Sequence, residues 1–514
     1  MTNLLVDQGP VVEDQLKLSM FRAYDIRTPS SLLTPELAER LARAEAFYIR
    51  EVLWAPGVVV AHDARRTGPQ YLTVTIDAFR AAGLDVAYLP GASSTSYFYY
   101  AAMRHLQFAA VIVGASHNPS GDTGQKVLGQ GVRPIAQGIG PEGGLDRIKA
   151  LYVAGTSASG AKRGDLRAKD LMEDFVNHSM ALAGVSPGSL QGASILQDYL
   201  FGTSGREVML AFDRAGAALE PLHYAADGTF PLGDPNPVKQ SVIRAGLEAL
   251  RSGRYQLGMF FDGDGDRLDI YRGDGTYLSS SFVYAAILPE IRRRFGGAGL
   301  GVFADLKSNP LAIIEMARTG VTVDVIRNGH SQIKESLLND SSRFGAVEES
   351  AHYYEAFSLG AEGRYCTENT LYIALLVART WHEAPARLDR LIAIQATTAR
   401  QREWGYKFPG DQARAEALDA VRAHFQGLGA CALDRMKNGM DLEATLMRRG
   451  LPFDVNAQTH LATDWFQVGQ RVSQSENGLA RWEVVGASLD LVEQAKREIA
   501  SCVRQFGAGD EYQG

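Results

Sequence analysis

Residues 108–126 read FAAVIVGASHNPSGDTGQK, and the order of those residues decides the architecture. The first six are apolar, with a β-branched stretch at 111–113, so they read as a buried strand. That strand runs straight into small and polar residues, 114–124. Working outward toward the N-terminus, residues 84–89 read as another strand. Residues 73–82 read as a helix that Gly83 ends, and residues 58–63 (Val-Val-Val-Ala-His-Asp) as a further strand. Before them, Thr34 caps a helix with Pro35 at its first position and the stripe Leu37, Leu41, Ala44, Tyr48, Val52. Alternating strands and helices predict a mostly parallel, doubly wound sheet.

Working outward in the other direction, the alternation recurs without any fixed-period repeat. Residues 257–261 form a strand feeding 262–267. Residues 300–304 form a strand, 310–317 a helix, and 321–326 a strand feeding Gly329-His330-Ser331. Turn-rich residues 155–164, 273–281 and 397–409 read as linkers. Beyond the last, a helix near 415–425, short strands and a final helix after Ser488, with stripe Leu491, Ala495, Ile499, Val503, predict a smaller α+β module.

The chain has 514 residues, enough for three or four domains at about 150 residues each. Hydrophobic residues are 46% and charged residues 22%, the balance of a globular protein. A net charge of −7 argues against nucleic acid as a partner, because a polyanion binder carries a basic footprint. It leaves room for a local basic pocket around one small anion. The acidic N-terminus, broken by Gly9 and Pro10, lacks the pattern of a signal peptide, and no apolar run is long enough to span a membrane. Cys366, Cys431 and Cys502 are far apart and odd in number, which predicts reduced thiols and a cytoplasmic location.

Ligands of open α/β sheets bind beyond the carboxyl ends of the strands, so the loops there carry the chemistry. In Asp262-Gly263-Asp264-Gly265-Asp266 three carboxylates alternate with glycines, which let the backbone turn tightly around one hard cation such as Mg²⁺. An EF-hand would need Gly at its sixth position and Glu at its twelfth, where Arg267 and Gly273 stand. Mg²⁺ commonly bridges to phosphate oxygens, so this loop suggests phosphate chemistry. In residues 114–126 small residues flank Ser116, whose hydroxyl needs a base or an activated electrophile to react. Lys126 can neutralise a phosphoryl group or accept a proton. Phe21–Arg27 sets two arginines beside Tyr24 and Asp25, and arginine forks suit phosphate oxygens. Glu348–His352 offers acceptors for sugar hydroxyls, and Arg471-Val472-Ser473-Gln474-Ser475, with Arg481 beyond, can cradle a phosphate.

Together these loops resemble those of the α-D-phosphohexomutases, the phosphoglucomutase/phosphomannomutase superfamily. The resemblance rests on FRAYDIR (21–27), GASHNPSGDTGQK (114–126), DGTFP (227–231) with Pro235-Asn236-Pro237, DGDGDR (262–267), Gly329-His330-Ser331 and Glu348–His352, in the family's order. It implies an α/β fold: three phosphohexomutase-type α/β domains with mixed, mostly parallel sheets plus a smaller α+β C-terminal domain, heart-shaped with a central cleft. The expected domains are 1–165 with a phosphoserine loop, 166–278 with a metal loop, 279–395 with a sugar-recognition loop and 396–514 with a phosphate-binding loop. The implied reaction interconverts hexose 1- and 6-phosphates, of glucose and/or mannose, through phosphoserine and a hexose 1,6-bisphosphate that also serves as activator.

By the same resemblance Ser116 carries the phosphoryl group. Asp262, Asp264 and Asp266 hold Mg²⁺, with an oxygen at Ser116 as a further ligand. Arg27, Arg267, Lys126 and His330 surround the transferring group, and Lys126, His330 and His352 are the candidates for general acid and base. Tyr24, His117 and Lys307 face substrate, and Glu348 and Ser350 grip the sugar's 3- and 4-hydroxyls. Arg471, Ser473, Ser475 and Arg481 bind the non-reacting phosphate. Departures from the pattern are Thr28, Thr123, Val347 and Ala351, where relatives carry Gly, Asn, Gly and Gly, and a last loop, 471–477, without proline. Phosphoglucosamine mutase and a non-catalytic sugar-phosphate-binding relative stay open as alternatives.

Overall fold

The computed structural model describes residues 15–297, 299–358, 363–473 and 478–513. The chain divides into two compact units. One comprises 1–276, 330–339 and 354–379, and the other 277–329, 340–353 and 380–514.

The first unit opens with a sheet whose centre is the parallel trio Ala109–Val113, Gly57–His62 and Asp85–Ala92. Asp122–Gly129 folds back antiparallel on Ala109–Val113, and Ile26–Pro29 adds antiparallel to it. The central strands are buried on both faces, which is why they read as unbroken apolar runs. Helices Pro35–Phe47, Gly68–Ala81 and Leu145–Ala154 contribute Leu41, Phe79 and Ile148 to a core with Val58, Val60, Val111 and Val113. Thr34 caps the first helix through its hydroxyl, and a π-helical turn, Tyr48–Val52, completes the predicted stripe. The helix predicted from 73 begins at Gly68, because Pro69 at the second position suits a helix start.

A second sheet in this unit sets Leu257–Phe261 parallel to Ser194–Asp198, which lies parallel to Ala218–Leu222. Leu268–Arg272 turns back antiparallel on Leu257–Phe261. Farther along, Tyr354–Ser358 pairs antiparallel with Arg364–Glu368.

In the second unit Gly301–Asp305 lies parallel to Thr322–Ile326 and to Arg343–Glu348. Its C-terminal part is a six-stranded sheet in the order Cys431–Arg435, Asp441–Arg449, Phe466–Val472, Leu479–Gly486, Ala399–Lys407, Glu511–Gln513. Helices Asp411–Gly427 and Leu489–Arg504 pack on it through Val421, Phe425 and Ile499 against Trp404, Val468 and Trp482. This is the expected α+β module. One expectation is corrected: residues 397–409 are no linker, since Ala399–Lys407 is a nine-residue strand inside this sheet. Its polar run, Arg400 to Glu403, reads as loop, but the charges are consumed by ion pairs. Arg400 lies 2.6 Å from Glu349 and also pairs with Glu483.

Candidate active site

Ser116 sits three residues past the end of the strand Ala109–Val113 with a φ of +51°, a conformation that costs a non-glycine residue. Arg65 over-determines it. This guanidinium, 1% exposed, donates to the carbonyls of Ser116 (2.9 Å), Asn118 (2.7 Å), Asp122 (3.1 Å) and Pro119, and to Asp63 Oδ2 (3.0 Å). Asp63 in turn accepts from the amides of Arg65 and Ala115, at 2.9 and 3.1 Å. Gly114 is required there, since a Cβ would stand 2.5 Å from Asp63 Oδ2. The ring of Phe230 lies 5.3 Å from the Arg65 guanidinium, and Gly228 leaves room for the backbone of Ala64 and Arg65. The DGTFP segment therefore supports the serine loop within the same unit. Ser116 Oγ lies 3.2 Å from His117 Nδ1.

The aspartate loop meets this serine loop directly. A Cβ on Gly263 would stand 3.0 Å from the Ser116 carbonyl oxygen. Asp262, Asp264 and Asp266 are all buried, and their ligand atoms lie within 4.8 Å of one another. The loop is pinned by Asp262 Oδ1, which accepts from the amides of Asp266 and Arg267 at 3.1 Å each. Lys126 Nζ donates to Asp264 Oδ2 and Asp266 Oδ2, both at 2.7 Å, and Thr95 Oγ1 donates to Asp264 Oδ2 at 2.7 Å. Burial, reinforced by Asp266 and Asp264, pushes the Asp262 carboxyl well above the usual carboxylate range. Burial and Asp266 act the same way on Asp264, but Lys126 and Thr95 outweigh them and hold it below that range. Asp262 Oδ2 and Asp264 Oδ1 are buried without a hydrogen-bond partner. Buried, unsatisfied, mutually repelling carboxylate oxygens fit a hard divalent cation.

Arg27 lies on Ile26–Pro29, opposite Gly124. It donates from Nε to Asp25 (2.9 Å) and from Nη1 to Asn118 Oδ1 (2.7 Å), so it is tied to the serine loop. Burial disfavours its charge, but Asp25, Asp264 and Asp266 outweigh that and raise its pKa. Arg267 Nε is 3.7 Å from Asp262 Oδ2. The rings of Tyr24 and His330 pack edge to face at 5.7 Å. One unit thus brings together Ser116, His117, Lys126, Arg27, Tyr24, the three aspartates, Arg267 and His330.

The remaining predicted residues lie in the second unit. Glu348 Oε1 accepts from the Gly329 amide (3.0 Å) and from Asn328 Nδ2 (3.2 Å). Ser350 Oγ is 3.0 Å from His352 Nδ1, and Ala351 takes a φ of +71°, the conformation a glycine there would adopt without strain. Lys307 Nζ stands 3.8 Å from Asp305, whose carboxyl burial pushes up to about 7. Arg481 Nε donates to Ser473 Oγ at 3.3 Å, and Arg471 and Arg481 both bond to Glu403. Ser475 lies outside the described residues.

Asp63, Arg65, Thr95 and Glu403 escaped the sequence reading as site residues. Asp63 and Arg65 had a signal: they are the first polar residues past the buried strand at 58–62, where α/β ligand loops begin. Glu403 had none, because its partners are about 70 and 80 residues away in sequence.

Residues 18–138 match the family described as phosphoglucomutase/phosphomannomutase, alpha/beta/alpha domain I, and residues 173–275 match domain II of the same family. A phosphomannomutase of Escherichia coli is 26% identical over 427 residues, covering 80% of this chain and 88% of the relative. A phosphomannomutase of E. coli strain K12 is 27% identical, covering 82% and 89%. In fold, a phosphoglucomutase/phosphomannomutase family protein from Burkholderia thailandensis superposes with a TM-score of 0.75 over 96% of this chain and 99% of that one, at 21% identity. Paramecium parafusin, a phosphoglucomutase, does so at 0.71 over 94% and 95%, at 14% identity. Mixed α/β sheets presenting these loops define a phosphohexose mutase, an isomerase. Residues 18–138 and 173–275 thus carry domains I and II of the phosphoglucomutase/phosphomannomutase superfamily.

Proposed function

We propose that this phosphohexomutase interconverts the 1- and 6-phosphates of glucose and/or mannose through a phosphoserine at Ser116 and a hexose 1,6-bisphosphate. The observation that carries the reading is the contact of the aspartate loop with the Ser116 loop, with Lys126 bonded to Asp264 and Asp266. It gathers a hydroxyl, fixed cations and unsatisfied carboxylate oxygens in one unit, the parts that phosphoryl transfer needs for positioning and charge stabilisation.

In this reading a sugar hydroxyl oxygen attacks the phosphorus on Ser116. The bond from phosphorus to Ser116 Oγ breaks and the hydroxyl proton passes to a base. The bisphosphate then returns its other phosphoryl group to Ser116 Oγ, and a proton goes back to the freed sugar oxygen. Arg27 and Arg267 offer guanidinium forks to the transferring group, and Lys126, His330 and His352 are the candidates for proton transfer. Asp262, Asp264 and Asp266 would hold Mg²⁺, which supplies positive charge to phosphoryl oxygens when bound. Glu348 and Ser350 would grip sugar hydroxyls, while Lys307, Arg471, Ser473 and Arg481 would orient the substrate through its far side. The four-domain division at 165, 278 and 395 accompanies this reading, as does a cytoplasmic location in which Cys366, Cys431 and Cys502 stay thiols.

Intact-protein mass spectrometry should find a phosphorylated fraction localised to Ser116. Ser116→Ala should abolish interconversion in a coupled assay on glucose, mannose and glucosamine phosphates, and full activity in that variant would sink the mechanism. The same three-sugar assay separates glucose or mannose specificity from glucosamine specificity.

A further inference from the structure

Glu403 belongs to the strand first read as a linker, and its carboxylate is surrounded by cations. Its two oxygens accept from Arg471 Nη2 at 3.0 and 2.9 Å, and Oε1 accepts from Arg481 Nη1 at 2.7 Å. Lys307 Nζ stands 3.7 Å from Oε2. The sheet enforces the arrangement: Arg471 and Arg481 are register partners on adjacent strands, and Arg481 also faces Gly405, two residues beyond Glu403. Burial disfavours ionisation of Glu403, but Arg471, Lys307 and Arg481 outweigh it and hold its carboxyl far below the usual range. The group is thus a standing anion. Its side chain keeps 19% exposure and that of Arg471 18%, so solvent reaches the cluster.

The guanidinium forks that Glu403 holds are the groups a phosphate oxygen would take. A dianion entering beside an ionised carboxylate meets repulsion unless the carboxylate withdraws. We propose that Glu403 is a resident counter-anion of the distal phosphate site, and that a hexose phosphate docks there by displacing its carboxylate from Arg471 and Arg481. This rests on the reading of Arg471, Ser473 and Arg481 as the holders of the non-reacting phosphate. It gives the site a use for the competition. The two phosphates of the intermediate must exchange places in each cycle, and a carboxylate ready to reclaim the arginines keeps the distal phosphate from being trapped.

Titration calorimetry of the full chain with inorganic phosphate tests it. Glu403→Gln should tighten the dissociation constant by at least about threefold, and the gain should vanish in Glu403→Gln/Arg471→Ala. Glu403→Asp, which keeps the charge but retracts it by one methylene, should fall between the parent and Glu403→Gln and guards against misfolding of the neutral variant. Unchanged or weaker binding in Glu403→Gln overturns the inference, because the carboxylate would then align the guanidinium groups rather than compete for them. If Arg471→Ala binds phosphate as tightly as the parent, the distal-phosphate reading itself fails, so the two failures are told apart.

Discussion

Ser116 keeps its φ of +51° because Arg65 fixes the loop from beneath through four carbonyls. Arg65→Lys keeps a charge there but cannot fork to several carbonyls at once. Each buried carbonyl left without a donor costs about 1–3 kcal/mol, and the serine loses its hold on a strained conformation. The expected outcome is a lower melting temperature and a fall in kcat of at least about tenfold, equivalent to about 1.4 kcal/mol. KM for hexose phosphate should change much less, since Arg65 is buried away from solvent. Steady-state kinetics on the folded variant check this, and an unchanged kcat would remove Arg65 from the positioning of Ser116. Ser116 and Lys126 were readable as chemistry because a hydroxyl and an amine stand in a small-residue loop. Arg65 was not, because its value lies in which carbonyls the fold brings to it.

At the scale of elements, the strand Asp122–Gly129 positions Lys126, and Gly124 sets how closely it meets Ile26–Pro29. A Cβ at Gly124 would stand 1.9 Å from the Ile26 carbonyl oxygen, a backbone atom that cannot swing aside. Gly124→Ala should therefore destabilise by about 1–3 kcal/mol or more and displace Arg27, which denaturant unfolding and activity together would reveal. Just past the strand Ala218–Leu222, His223 Nδ1 lies 2.8 Å from Oδ1 of Asp198, the last residue of the strand Ser194–Asp198. That hydrogen bond, against opposing burial, raises the imidazole pKa. A raised folded-state value means the pair's stabilisation is full below the unfolded histidine value of about 6.5 and is lost as pH rises through the folded value. His223→Gln should remove that pH dependence, a fraction of about 1 kcal/mol after screening by solvent. Urea midpoints between about pH 5 and pH 8 measure it. The elements themselves were largely legible where the residues were nearly all apolar, as in Leu257–Phe261 and Pro310–Ala317. Ala399–Lys407 was not, since a strand that buries ion pairs has no apolar alternation to show.

For the whole molecule, Asp262, Asp264 and Asp266 belong to the first unit together with Ser116. Millimolar Mg²⁺ should raise the melting temperature of the parent, because a cation bound only by the folded state stabilises it, by about 2.7 kcal/mol at a hundredfold excess over Kd. EDTA should reverse the shift and end activity. In Asp262→Asn the Mg²⁺ shift should shrink or vanish, and a full shift there in differential scanning fluorimetry would place the cation elsewhere. Among the described residues no helix is long and apolar enough to cross a membrane. The sequence alone determined the α/β alternation, the family and the loops that hold serine, aspartates and lysine, because strand ends and glycine-spaced carboxylates are local patterns. Only the tertiary structure decided that Arg65 underlies Ser116, that Lys126 bridges two aspartates, and that Glu403 holds Arg471 and Arg481. Those are contacts between residues of distant segments, and the packing of loops and strands, not spacing along the chain, sets their distances.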